Sequence, residues 1–161
     1  CFRGNGAAGP GGLKILHNTI VMASDARYAL QFGQTVRGNL VRNNILHDLN
    51  PARGGLAYFD AAADVPNVDS ACNIFATEAP VVAVDDWKTR HPLSRWQAMG
   101  HEKNSFVCSQ SDLFINAAAK NYRLKPGSPA IGKGMPIGDD RGESAPNAAP
   151  DIGCRLRPGA K

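Results

Sequence analysis

The sequence predicts an all-β chain wound as a solenoid of stacked parallel strands. Three observations carry that expectation. Between residues 13 and 84, short runs rich in Val, Ile, Leu and Phe (LKILHNTIVM, YALQFG, NLVRNNIL, GLAYF, ACNIF and APVVAV) are separated by Gly, Asn, Asp and Pro. Helical stripes and heptads are absent from that half of the chain. The runs also repeat, in two interleaved series of one common period, which is the mark of a repeating coil.

In the first series His17-Asn18-Thr19-Ile20-Val21 aligns with Arg42-Asn43-Asn44-Ile45-Leu46 and Ala71-Cys72-Asn73-Ile74-Phe75, at offsets of 25 and 29. In the second, Leu30-Gln31-Phe32 aligns with Ala57-Tyr58-Phe59 and Val82-Ala83-Val84, at offsets of 27 and 25. Stacked coils place equivalent residues in columns about 4.8 Å apart. The alignment therefore expects Asn18, Asn43 and Cys72 in one column and Thr19, Asn44 and Asn73 in the next. An Asn at a sharp bend tolerates left-handed backbone and can bond its amide to neighbouring coils. Ile20, Ile45 and Ile74 would then stack inside. The asparagines are read as a structural ladder, because buried turns need their polar groups satisfied.

Composition bounds the rest. The 161 residues suffice for one domain, and 43% apolar against 20% charged residues is a globular balance. Seventeen Gly and eleven Pro favour turns over long helices. Residues 1–12 read as a glycine-rich lead-in and 13–161 as a single domain. The lead-in contains a literal G-x-G-x-x-G at Gly4, Gly6 and Gly9. It has only three residues before it, and Pro10-Gly11-Gly12 blocks a helix after it, so it is read as a loop, not a dinucleotide site. No apolar run is long enough for a membrane helix.

The net charge of +4 is unevenly spread. Residues 1–47 carry five basic side chains against one acid, residues 48–86 one against seven, and residues 87–161 twelve against six. This is not the continuous basic stripe of a nucleic-acid binder. It suits a polyanion held on basic residues with a cation among the acids, although a solvated surface of mixed sign is the simpler reading.

HNTIVM (17–22), VRNNIL (41–46) and DSACNIF (69–75) resemble the coils of the right-handed parallel β-helix, pectate-lyase-like family of secreted bacterial proteins. The stretch Leu93 to Gly100 resembles the short W-Q-x-x-G helix that follows the last coils of such proteins. Asp112-Leu113-Phe114 follows it. Asn121-Tyr122-Arg123-Leu124-Lys125-Pro126-Gly127-Ser128-Pro129-Ala130-Ile131 and Pro150-Asp151-Ile152-Gly153 resemble their closing segments, with a departure at Cys154-Arg155-Leu156. The resemblance covers residues 13–153. It implies a right-handed parallel β-helix of few coils, a short helix near 92–100 and an irregular C-terminal closure. It further implies the C-terminal part of a larger β-helix, in a secreted or periplasmic setting.

The same resemblance implies an acidic polysaccharide as partner, and a lyase or glycosidase as the activity. Lyases of this kind abstract the proton α to a uronate carboxylate that Ca²⁺ or basic residues neutralise. Candidate substrate-binding residues are Arg37, Arg42, Lys88 and Arg90, and candidate Ca²⁺ ligands are Asp60, Asp64, Asp69 and Asp85. Hydrolases use paired carboxylates instead, and Asp85-Asp86 fits poorly because adjacent strand residues face opposite sides. The non-catalytic alternative is a binding, adhesion or self-assembling module, with a homodimer through the exposed coil at residues 13–22. Nucleic-acid and membrane partners are not expected.

Cys72 and Cys108 would stack if the coil resumed after the helix, either as a disulfide or as two buried thiols. The spacing of Cys1, Cys72, Cys108 and Cys154 excludes a C-x-x-C zinc site. His17, His47, His91 and His101 fall in no metal-ligand spacing. His47-Asp48 reads as an ordinary turn before a surface acid/base pair. Asp139-Asp140-Arg141-Gly142 and Asp151 read as turn residues.

Overall fold

A computed structural model of the chain describes residues 2–3, 12–23, 25–33, 38–48, 57–59, 61–77, 81–85, 88–137 and 149–154. Its organising unit is a corner between two short strands. Strand β2 (Lys14–Leu16) turns at His17-Asn18 into β3 (Thr19–Val21), β5 (Asn39–Arg42) at Asn43-Asn44 into β6 (Ile45–His47), and β8 (Val68–Ala71) at Cys72-Asn73 into β9 (Ile74–Ala76). The first corner residue is left-handed each time, with φ of 55° at His17, 58° at Asn43 and 52° at Cys72. Such backbone is disfavoured outside glycine by roughly 1–2 kcal/mol, so each corner needs support from its surroundings.

The second corner residue supplies that support. Asn44 Oδ1 accepts the backbone N–H of Asn18 at 2.9 Å, and Asn73 Oδ1 accepts that of Asn44 at 2.9 Å. Asn44 Nδ2 donates to Ile15 O and Asn73 Nδ2 to Val41 O, both at 2.8 Å. Ser105 Oγ ends the run by accepting the Asn73 N–H at 2.8 Å.

These corners set strands side by side. Strands β2, β5 and β8 form one parallel sheet. A second parallel sheet has the order β12-β9-β6-β3, with β12 at Phe106–Cys108. The third contains β1 (Phe2–Arg3), β4 (Leu30–Gly33), β7 (Ala57–Phe59), β10 (Val81–Asp85) and β11 (Thr89–Pro92). Its first four strands are parallel, and β11 returns antiparallel to β10. Helix α1 (Leu93–Ala98) and helix α2 (Gln110–Leu113) come next, then an antiparallel hairpin of β13 (Phe114–Asn116) and β14 (Asn121–Leu124).

This architecture overturns the expected all-β, right-handed parallel β-helix solenoid. Among the described residues 41% are strand and 14% helix, spread over several small parallel and antiparallel sheets, with no solenoid and no closed sheet. The reason lies after residue 85. In the third sheet the chain reverses into β11, only the second sheet gains a further parallel strand, β12, and described segments beyond it cover a sheet face.

Two registers also differ from the sequence alignment by one residue. Thr19, not Ile20, lies opposite Ile45, and Ala83, not Val82, lies opposite Ala57. A one-residue slip sends every side chain to the other face of a strand. Hence Ile20 packs against the first core cluster, which holds Leu46 and Phe75 with Ile15, Phe32, Val41, Phe59, Val82 and Trp96. Ile45 and Ile74 stack as expected but belong to a second cluster, against Leu113, Phe114, Leu124, Ala130 and Ile152.

The inner strands of the second sheet, β6 and β9, are therefore buried on both faces, the outer one by C-terminal segments. Gly153 shows how closely they fit. Its φ is 89°, and a Cβ there would come within 2.6 Å of Ile45 Cδ1. Ile74 and Ile45 are wholly buried. Ile74→Ala is expected to lower the unfolding free energy by about 2–5 kcal/mol through cavity formation. Gly153→Ala should destabilise by a different route, strain and overpacking. Urea titration followed by circular dichroism measures both; an unchanged midpoint in either variant would refute this packing.

Candidate functional site

Among the described residues, the charged side chains singled out from sequence lie at separate places. Arg42 ends β5, and its Nη2 forms an ion pair with Asp69 Oδ2 on β8. A proposed sugar contact and a proposed cation ligand thus neutralise each other. Asp64 is buried in a 3₁₀ turn at Ala62–Asn67. Asp85 ends β10, with Oδ2 3.1 Å from His91 Nε2. Lys88 and Arg90 are exposed beside it, in and after the turn into β11, on a different sheet from Arg42. Arg37, Asp60 and Asp86 lie outside the described residues.

Calcium prefers six to eight oxygen ligands. Among the described residues no group of three or more His, Cys, Asp or Glu side chains is placed to hold a metal ion. Among the same residues no helix is long and apolar enough to cross a membrane.

Three arrangements emerge that the sequence did not announce. The first is a ring stack. Trp96 on α1 has its ring centre 4.9 Å from that of His91, 4.5 Å from that of His101 and 5.7 Å from that of Phe59. Trp96 is buried, so it is a core element and offers no platform to a ligand. Burial holds His101 below the ordinary imidazole value, reinforced by His91 and opposed by Asp85.

The second is a buried polar knot. Glu102 Oε2 accepts from Asn73 Nδ2 at 2.9 Å and from Ser105 Oγ, at the end of the asparagine ladder. Burial raises this carboxyl above its usual 4.5, against hydrogen bonds from Ser105, Asn73 and Ser70. His47 is comparably enclosed, edge-on to Phe114 and Tyr122. Burial lowers its pKa, against contributions from Gln110 and Asp48. It is a core histidine, not a surface acid/base partner.

The third is a cleft of about 670 Å³. It lies where the C-terminal strap passes the third corner, and its walls include Cys72, Asn104, Phe106, Pro129, Lys133 and Met135. Asn43 fixes the strap with both atoms of its amide, accepting from Met135 N and donating to Met135 O, each at 2.8 Å. Arg42 Nη1 donates to Met135 Sδ at 3.3 Å, and Gly134 N to Pro150 O at 2.7 Å. Burial pushes the Cys72 thiol up, against its bond to Asn104 and the nearby Arg42.

The described cysteines Cys72, Cys108 and Cys154 are free. Cys108 lies opposite Ala76, four residues beyond Cys72, so the stacking that would have allowed a disulfide does not occur. The cleft had no sequence signal, because its walls come from three distant segments. Lys133 and Met135 sit in a tail that reads only as closure.

No family model, curated protein or solved structure matches the chain, and none of these comparisons indicates the pectate-lyase-like family.

Glu102 supplies a pH test. Its folded pKa is raised, so the folded state holds the proton more tightly than the unfolded one. The contribution to stability is then full below 4.5 and is lost as pH rises through the folded value. Glu102→Gln should remove that component. The stability difference between variant and wild type, from urea midpoints, is expected to move in the variant's favour as pH rises above 4.5. A pH-independent difference would refute the assignment.

Proposed function

We propose that this is an extracytoplasmic, carbohydrate-facing protein that binds one residue of an acidic polysaccharide in the cleft beside Cys72, without cleaving it. The observation that carries this reading is the composition of the cleft. Its volume lies within the roughly 300–1,000 Å³ usual for small-molecule sites. Phe106 and Pro129 offer apolar surface for the C–H face of a sugar ring. The Asn104 amide suits hydroxyl groups, and the Lys133 ammonium suits a uronate carboxylate as a point charge. The basic surplus of residues 87–161 favours an anionic chain.

Binding is preferred to catalysis on chemical grounds. Lysis needs a base near the α-carbon and hydrolysis a pair of carboxylates. The described lining offers one ammonium and one thiol that burial keeps protonated. Neither arrangement is assembled there.

Isothermal titration with oligomers of polyuronate, against neutral oligosaccharides of equal length, tests the proposal. Binding of the uronate series is expected, weakened by Lys133→Ala and by Phe106→Ala. It should decline with added salt, since the ammonium–carboxylate attraction is screened. A flat titration would overturn the reading. A rise in ultraviolet absorbance from unsaturated product would replace it with a lyase.

A further inference from the structure

We propose that His47 is a proton-operated latch: acidification charges its imidazole beneath the β13–β14 hairpin and releases that hairpin from the second sheet, while the parallel strands stay paired. His47 ends β6, an inner strand, and is 2% exposed. Its ring centre lies 5.8 Å from that of Phe114 on β13 and 5.9 Å from that of Tyr122 on β14. Phe114 and Tyr122 also meet each other, at 5.4 Å, so the three rings form one cage. Inside it the buried His47 Nδ1 has no hydrogen-bond partner. Both nitrogens of a charged imidazole carry protons, so the charged ring would bury an N–H with nothing to receive it.

The hairpin is the part of the fold that such a charge can move. Strands β13 and β14 pair with each other alone, in a sheet of two. Among the described residues no backbone hydrogen bond ties them to β6 or β9. Phe114, Leu124 and the half-buried Tyr122 hold the hairpin by packing. The strands beneath keep their own ladders and the asparagine bonds whether or not it stays.

The surroundings of His47 set the sign. Strands β3 and β9 place Val21 and Ala76 beside it, and β13 and β14 contribute the rings of Phe114 and Tyr122. Helix α2 contributes Gln110, and Asp48 is the charged group that acts on it. Asp112 and Lys125 pair with each other at 3.8 Å. Burial outweighs the help of Gln110 and Asp48, so the folded pKa lies below 6.5. The hold on the hairpin is then full above 6.5 and is lost as pH falls through the folded value. Glu102 acts the other way, because its raised carboxyl favours the folded state in acid.

Hydrogen exchange of the full chain, corrected for the intrinsic effect of pH and read from about pH 7.5 to 5, spans the imidazole range. Protection over residues 114–124 should fall, by up to about tenfold per pH unit below 6.5, while that of β5 and β6 holds. His47→Gln should remove the fall. His101→Gln, which alters the other histidine that burial holds low, should keep it. Should His47→Gln misfold, nuclear magnetic resonance of the wild-type chain decides: the His47 imidazole must titrate where the hairpin opens. Hairpin protection indifferent to pH, a fall that survives His47→Gln, an imidazole that titrates apart from the opening, or equal loss across β5, β6 and the hairpin would each overturn the proposal.

Discussion

The amide ladder at Asn18, Asn44 and Asn73, buried at Asn44 and Asn73, is the constraint on which the rest of the structure depends. Each corner bends the chain through a left-handed residue and so leaves backbone groups without a strand partner. At the second and third corners Asn44 and Asn73 close that gap, each with its Oδ1 on one neighbour and its Nδ2 on another. Removing one partner from such a chain leaves a buried donor or acceptor unsatisfied, which costs about 1–3 kcal/mol. The ladder thereby fixes strand spacing, strand register and the direction in which every flanking side chain points.

Register explains both what was legible in the sequence and what was not. The period, the asparagine columns at 44 and 73 and the paired isoleucines at 45 and 74 were visible because they repeat in type. The first layer slipped by one because Ile20 looks like Ile45, and apolar identity seemed the stronger signal. The structure keeps the amides in line and accepts Thr19 opposite Ile45. A hydroxyl at a partly exposed edge loses little, whereas an amide displaced from the ladder would be stranded inside. The polar column, not the apolar one, decides the register.

The same logic separates the fold from the candidate site. Repetition reveals elements, but contacts between Arg42 and Asp69, or between Asn43 and Met135, join residues with no shared pattern. Arg42 and Asp69, which looked available for a ligand, are consumed by each other. The cleft was invisible because its walls converge only when the C-terminal strap lies across the third corner. The solenoid expectation failed for a related reason. It expected irregular closure after the short helix near 92–100, whereas the described residues beyond that helix include β12, a second helix and a hairpin that forms a covering layer with Ala130 and Ile152.

That covering layer sets the order in which the molecule can be completed during synthesis. Ile45 and Ile74 emerge early, but their cover at Leu113, Leu124, Ala130 and Ile152 is translated much later. The bond from Cys154 N to Thr19 Oγ1 spans 135 positions, and the Met135 bonds to Asn43 span 92. Contacts of such separation form late, because their loop entropy is met only at closure. Until then the nascent chain carries a bare row of isoleucine and alanine on one sheet face, the kind of surface that chaperones recognise. The segments from Leu113 to Ile152 therefore act as a lid on the folding pathway, and a ribosome stalled before them would release a half-covered, aggregation-prone set of strands.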